Sequence, residues 1–88
     1  MSISTATQLE DSVLHGVADA DKLLQLGMMY SAGNSVPADI VAAHKWFNIA
    51  ALRGNAAAAR MRREIAIEMS DAEIAAAQRA ARAWMTRH

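Results

Sequence analysis

The segment from Leu26 to Gly54 constrains the fold of this 88-residue chain more than any other part. Gly27, Gly33 and Pro37 divide it at the places where two helices would approach closely, stop and restart. Glycine is favoured just after a helix, and proline is tolerated in the first helical turn. The segment therefore predicts two helices joined by a turn, a hairpin of the kind that stacks into repeats.

The first helix of this hairpin is predicted to run from Asp19 to Ala32. Leu23, Leu26, Gly27 and Tyr30 recur at the spacing of a single helical face. A glycine inside a helix costs about 1 kcal/mol relative to alanine. Gly27 therefore indicates that a neighbouring helix passes so close that no Cβ fits.

The second helix is predicted to end near Leu52, with Gly54 as the stop. Pro37 suits its first turn, and Asp39 places a carboxylate near the positive helix N-terminus. Its packed face, flanked by Trp46, is predicted to contain Ile40, Ala43, Phe47, Ala50 and Ala51.

This hairpin resembles the Sel1-like repeat, a relative of the tetratricopeptide repeat. The matching positions are Leu26-Gly27, Tyr30, Gly33, Val36-Pro37, Asp39, Ala43, Trp46, Ala50-Ala51 and Gly54. Ser35 departs from the pattern where the family usually has a second loop glycine, and Lys22 departs where it has a small alanine. The resemblance implies an all-α fold, a short α-solenoid of antiparallel helix pairs with about four to five helices.

Weaker internal similarity recurs at a spacing of 38 residues, which relates Trp46 to Trp84. Such a period is typical of helical-pair solenoids. We predict one domain over residues 1–88, with an N-terminal helix near residues 6–15, a complete repeat at 19–54, and a degenerate repeat with a C-terminal cap at 55–88.

The last helix is predicted to start at a capping box, in which Ser70 and Glu73 satisfy each other's backbone N–H groups. Its packed side is predicted to contain Ile74, Ala77, Ala81 and Trp84 or Met85. Trp46 and Trp84 occupy equivalent positions in the repeat, so both are interpreted as core residues.

The net charge is zero, but residues 1–44 carry −4 and residues 45–88 carry +4. A basic patch is predicted from Arg60, Arg62, Arg63, Arg79 and Arg82. Acidic residues interrupt this patch and no aromatic ladder accompanies it, so we predict no nucleic-acid partner.

Several chemistries are not expected. The chain has no cysteine, and its three histidines lack the spacing of metal ligands, so we predict no cofactor and no metal. His44 is predicted at the edge of the packed face, and Glu10 with Asp11 on a solvated helix face. No nucleophile and base form a defensible pair, which predicts a protein that is not an enzyme.

Neither a leader peptide nor a membrane span is recognised, so a cytoplasmic location is expected.

We therefore predict a non-enzymatic interaction module or adaptor that binds a protein or peptide partner. In helical-pair solenoids the first helix of each pair lines the inner surface. The predicted partner-binding residues are Lys22, Gln25, Met28, Met29, Arg62 and Arg63. The alternative is an accessory subunit of a larger enzyme or membrane-associated complex, docked through its end helices, with Ile3, Leu9, Val13 and Leu14 as contacts. A homodimer and a heteromeric complex both stay open.

Overall fold

The computed structural model describes residue 8, residue 10 and residues 19–87. This part of the chain forms four helices, α1 (Ala20–Ala32), α2 (Ile40–Leu52), α3 (Ala56–Ala66) and α4 (Asp71–Arg87). Gln8 and Glu10 are also helical, and no strand occurs among these residues. The all-α prediction is confirmed. The rest of the helix predicted near residues 6–15 lies outside the described residues, as do Ile3, Leu9, Val13, Leu14, His15 and His88.

Helix α1 begins and ends close to the predicted residues. The Asp19 side chain caps it by accepting a hydrogen bond of 2.8 Å from the backbone N–H of Lys22. It ends at Gly33, which has φ 74° and whose N–H donates to the Met29 carbonyl over 2.9 Å. The left-handed conformation favours glycine, so the predicted role of Gly33 is confirmed.

The turn between α1 and α2 corrects one prediction. Asp39 is the N-cap of α2, and its side chain accepts a hydrogen bond of 3.1 Å from the Ala42 N–H. Because Asp39 takes the capping position, α2 starts at Ile40 and Pro37 lies outside its first turn, where it was wrongly predicted. The Asp39 N–H donates to the Tyr30 carbonyl over 3.0 Å and ties the turn to α1.

Helix α2 lies at the centre of the described structure, because α1, α3 and α4 each pack against it. The predicted face is confirmed at Ala43, Phe47 and Ala50, which are fully buried, while Ile40 and Ala51 are half-buried. Contacts with three neighbours also bury residues outside that face, namely His44, Trp46 and Ile49. A prediction based on a single packed face did not include His44 or Ile49, whereas Trp46 was predicted in the core from its position in the repeat.

Helices α3 and α4 both begin at side-chain caps. Asn55 accepts from the Ala58 N–H over 2.8 Å at the start of α3. At the start of α4, Ser70 and Glu73 form the predicted capping box, with distances of 2.9 and 3.1 Å. Reciprocal bonds of this kind satisfy two otherwise unpaired backbone donors.

The packed side of α4 joins it to the centre of the core. Ala77 and Ala81 are fully buried, as predicted. The Trp84 ring meets the Trp46 ring edge to face, with centroids 5.3 Å apart and planes at 78°. Aromatic rings prefer this geometry over a face-to-face stack. The core role predicted for Trp46 is confirmed, and Trp84 is half-buried and packs against the core.

Candidate interaction surface

Helix α1 presents a polar and partly apolar strip to solvent on the side opposite its core face. Asp21, Gln25 and Met28 are exposed and follow one another at i, i+4 and i+7, which places them in line along the helix. Lys22, beside them, is half-buried. We call Asp21, Gln25 and Met28 the α1 outer stripe.

The two adjacent methionines of α1 divide between surface and core. Met28 is 48% exposed, whereas Met29 is half-buried and packs against the hydrophobic core. Successive residues of a helix point about 100° apart, so both could not share one surface. Of these two predicted partner-binding residues, the structure leaves Met28 on the surface.

The two arginines predicted to complete the site, Arg62 and Arg63, also differ in their surroundings. The Arg62 guanidinium donates from Nη1 to the Asn48 Oδ1 of α2 over 2.7 Å, so this side chain belongs to the contact between α2 and α3. Arg63 is exposed. Of the residues predicted to form a basic patch, Arg60, Arg63, Arg79 and Arg82 are exposed, while Arg62 is engaged with α2.

A hydrogen bond connects the first turn of α1 to the start of α3. The Asn55 amide donates from Nδ2 to the Asp21 Oδ1 over 3.1 Å, although the two residues are 34 positions apart. Asn55 thus accepts a bond from Ala58 through one side-chain atom and donates to Asp21 through the other. This contact fixes one end of the α1 outer stripe relative to α3.

A polar cluster that sequence reasoning missed joins residue 10 to α1 and α2. The Tyr30 hydroxyl donates a hydrogen bond to the Glu10 carboxylate. Burial, together with this bond to Glu10, raises the pKa of Tyr30 above its usual range. Glu10 is half-buried, so the predicted solvated face is wrong for this residue, and Asp11 lies outside the described residues.

Lys45 extends this cluster towards the centre of the core. Its Nζ lies 4.1 Å from the centre of the Trp46 ring, a cation–π geometry. Burial lowers the pKa of Lys45, and the Glu10 carboxylate opposes that shift. The spacing of apolar residues along α2 does not predict the interaction between Lys45 and Glu10, because Glu10 lies 35 positions away in the sequence.

His44 is only 3% exposed, so its predicted position at the edge of the packed face is wrong. Its Nδ1 has no hydrogen-bond partner among the described residues. Burial, and then the nearby Arg62 charge, lower the pKa of His44, which favours the neutral imidazole. Trp46 Nε1 is likewise buried and unpartnered within the described part of the chain.

The described residues show no metal site, no cavity and no membrane-spanning helix. No group of three or more histidine or carboxylate side chains is placed to hold a metal within residues 19–87 and positions 8 and 10. No cavity opens in this part of the protein. Among the same residues, no helix combines the length and apolar character needed to cross a bilayer.

Comparisons of the chain with protein-family models, with curated proteins and with solved structures gave no match in any of the three searches.

Proposed function

We propose that this protein is a non-enzymatic interaction module that binds a protein or peptide partner through the α1 outer stripe. The observation that carries the proposal is the exposure of Met28, in line with Gln25 and Asp21 on a helix whose other face is fixed in the core. Methionine is flexible and polarisable, and it is common on surfaces that adapt to partners. Neighbouring polar groups would add orientation to such a contact.

We also propose that residues 19–54 form a Sel1-like repeat within a short α-solenoid of antiparallel helix pairs. Three local features support this. Gly27 faces the Phe47 ring, Gly33 adopts the left-handed conformation, and Asp39 caps the second helix. Ser35, which replaces the family's loop glycine, has φ 68°, a conformation that glycine would adopt without strain. For such a repeat protein we expect the role of an adaptor in the cytoplasm.

The structure narrows the residues on which this proposal depends. Gln25, Met28 and Arg63 face solvent, and Lys22 lies at the margin. Met29 and Arg62 have structural contacts that account for their positions. We therefore expect Gln25 and Met28 to contribute most of the recognition.

A comparative affinity capture tests the proposal. The purified protein and its Gln25→Glu/Met28→Glu variant would be used as baits in an extract of the native organism, and the captured proteins identified by mass spectrometry. The matched control is Arg60→Glu, which changes the charge by the same amount on an exposed position of α3. We expect the wild type and the control to capture partners that the stripe variant does not capture. Retention by all three baits would exclude the α1 outer stripe.

A second candidate function is an accessory subunit docked through an end of the domain. Ile67, which follows α3, is 85% exposed, and large apolar side chains so exposed often mark contacts with other proteins when they cluster. An Ile67→Glu bait would lose its partners under this alternative, whereas the stripe variant would keep them. The same capture experiment therefore separates the two functions.

A further inference from the structure

Helix α4 has an exposed face that the described residues do not cover. Asp71, Ala75, Gln78 and Arg82 lie at i, i+4, i+7 and i+11, which is one face of a helix. Asp71, Gln78 and Arg82 are exposed, and Ala75 is half-buried. Ala77 and Ala81, on a different side of α4, pack into the core, and among the described residues Asp71, Gln78 and Arg82 stay accessible to a partner.

The charges on α4 are divided between its two ends. Asp71 stands at the start, and Glu64 and Glu68 are exposed in the segment just before it. Beyond Ile74 the charged residues of the helix are all basic, namely Arg79, Arg82 and Arg87. Within the described part of the chain, the side chains of Asp71 and Arg82 form no ion pair. Each end of the face therefore carries a charge that no described residue neutralises.

We propose that a second copy of this chain docks on this face, with the two α4 helices antiparallel about a two-fold axis. Asp71 and Arg82 are separated by about 16 Å along the helix, from the rise of 1.5 Å per residue. An axis at their midpoint brings Asp71 against Arg82 of the partner subunit, and the symmetry repeats the same pair at the other end.

The residue next to that midpoint suits a close approach of the two helices. Ala75 lies on the same face and has only a methyl group, which allows helix axes about 8–10 Å apart. Its position would oppose Gln78 of the partner subunit, so the centre of the contact would be uncharged. The two attractive pairs would then flank a small, neutral centre.

A second copy fits this face better than a uniformly charged ligand. A nucleic acid or an anionic bilayer would meet Arg82 favourably but would be repelled by Asp71 at the other end of the face. The antiparallel copy supplies the opposite charge at both ends. Because one helical face is a small interface, a weak and salt-sensitive dimer is expected, and it does not use the α1 outer stripe.

Sedimentation velocity of the full chain, over a concentration series at low and high salt, tests the proposal. The wild type is expected to form more dimer as concentration rises, and less at high salt. Arg82→Glu and Asp71→Arg should each weaken dimerisation by about tenfold or more, because each creates two repulsive pairs. The control Arg60→Glu, on α3, should dimerise like the wild type.

Mixing the two reversed variants gives the decisive measurement. Each variant should dimerise weakly alone, but an Arg82→Glu chain and an Asp71→Arg chain place opposite charges together at both ends. The mixture should therefore dimerise within about threefold of the wild type. Arg82→Gln and Asp71→Asn, which remove the charges without reversing them, should weaken the dimer less, and circular dichroism verifies the helical content of each variant.

Three results would overturn the proposal. The first is a wild type that stays monomeric up to about 1 mM, a concentration at which even a weak contact would be populated. The second is a dimer that Arg82→Glu and Arg82→Gln both leave unchanged, which would place the contact elsewhere. The third is a mixture of folded reversed variants that fails to associate.

Discussion

A Cβ atom on Gly27 would overlap the aromatic ring of Phe47. The ring belongs to a fully buried side chain of α2, so it can move away only by displacing its neighbours in the core. The close approach of α1 and α2 at this point therefore depends on the missing side chain. This contact is the physical reason for a glycine in the interior of α1, where alanine would otherwise be the better helix former.

Replacement of Gly27 by alanine should destabilise the protein. The overpacking of a well-packed core outweighs the gain in helix propensity, and we expect a net loss of about 1–2 kcal/mol in the free energy of unfolding. Urea denaturation measures it. Ser31→Ala, at an exposed position of the same helix, should change stability by less than about 0.5 kcal/mol. In a Phe47→Leu background the cost of the alanine should shrink, and an unchanged cost would show that the ring is not its cause.

Substitution of Met28 and of Met29 by glutamate should give opposite results. Met28→Glu should alter stability by less than about 0.5 kcal/mol, since the side chain is half exposed. Met29→Glu places a carboxylate against the hydrophobic core and should cost about 2 kcal/mol or more. Thermal unfolding followed by circular dichroism compares the two. Equal melting temperatures for the variants would contradict the division of the methionines between surface and core.

Ser35→Gly should stabilise the turn between α1 and α2. Ser35 has φ 68°, and a left-handed conformation costs a residue with a Cβ about 1–2 kcal/mol more than glycine. The greater flexibility of glycine in the unfolded chain offsets part of this gain. We expect a net increase of about 0.5 kcal/mol in the free energy of unfolding, with Ser35→Val less stable than the wild type. A glycine variant less stable than the wild type would argue against strain at this position.

The stability of the protein should fall in mild acid because of His44. Burial lowers the pKa of His44 in the folded state from its ordinary value of 6.5, so the unfolded chain binds a proton at a higher pH than the folded one. Above about pH 7 the imidazole is neutral in both states and contributes no pH dependence. Below that pH, protonation of His44 in the unfolded chain destabilises the folded state by up to about 1.4 kcal/mol per pH unit, until the lowered pKa of the folded state is reached.

The comparison with His44→Gln isolates this contribution from those of the other titrating groups. Chemical denaturation of both proteins between about pH 5 and pH 8 should show a steeper loss in the wild type on the acid side. His15 and His88 are present in both proteins and cancel in the difference. Parallel pH profiles would mean that His44 titrates alike in the folded and unfolded states.

Local signals in the sequence predicted most of the boundaries seen in the structure. Gly33 and Ser70 act through hydrogen bonds or backbone conformations that involve residues within a few positions, and such signals can be recognised in a single sequence. Pro37 was misplaced because the sequence is compatible with two starts for α2. Either Pro37 lies in the first helical turn, or Asp39 is the N-cap and the helix begins after it. The observed bond from Ala42 to Asp39 distinguishes them.

Contacts between distant positions were not predictable in the same way. The bond from Tyr30 to Glu10 joins residues 20 positions apart, and that from Arg62 to Asn48 joins two helices. Periodicity gives the face that a residue occupies but not which polar partner it meets there. His44 was assigned to an edge because α2 was taken to have one packed face, whereas its neighbours bury it on several sides.

The central position of α2 has a consequence for how this chain can be divided. Each of the other described helices rests on α2, and α3 and α4 contribute contacts that lie outside the hairpin at 19–54. A fragment ending at Gly54 would leave Trp46 without the Trp84 ring, and the remaining fragment would lack the helix on which it packs. Neither fragment is expected to fold alone. The smallest part of this protein that holds its structure is therefore longer than the two-helix hairpin at 19–54.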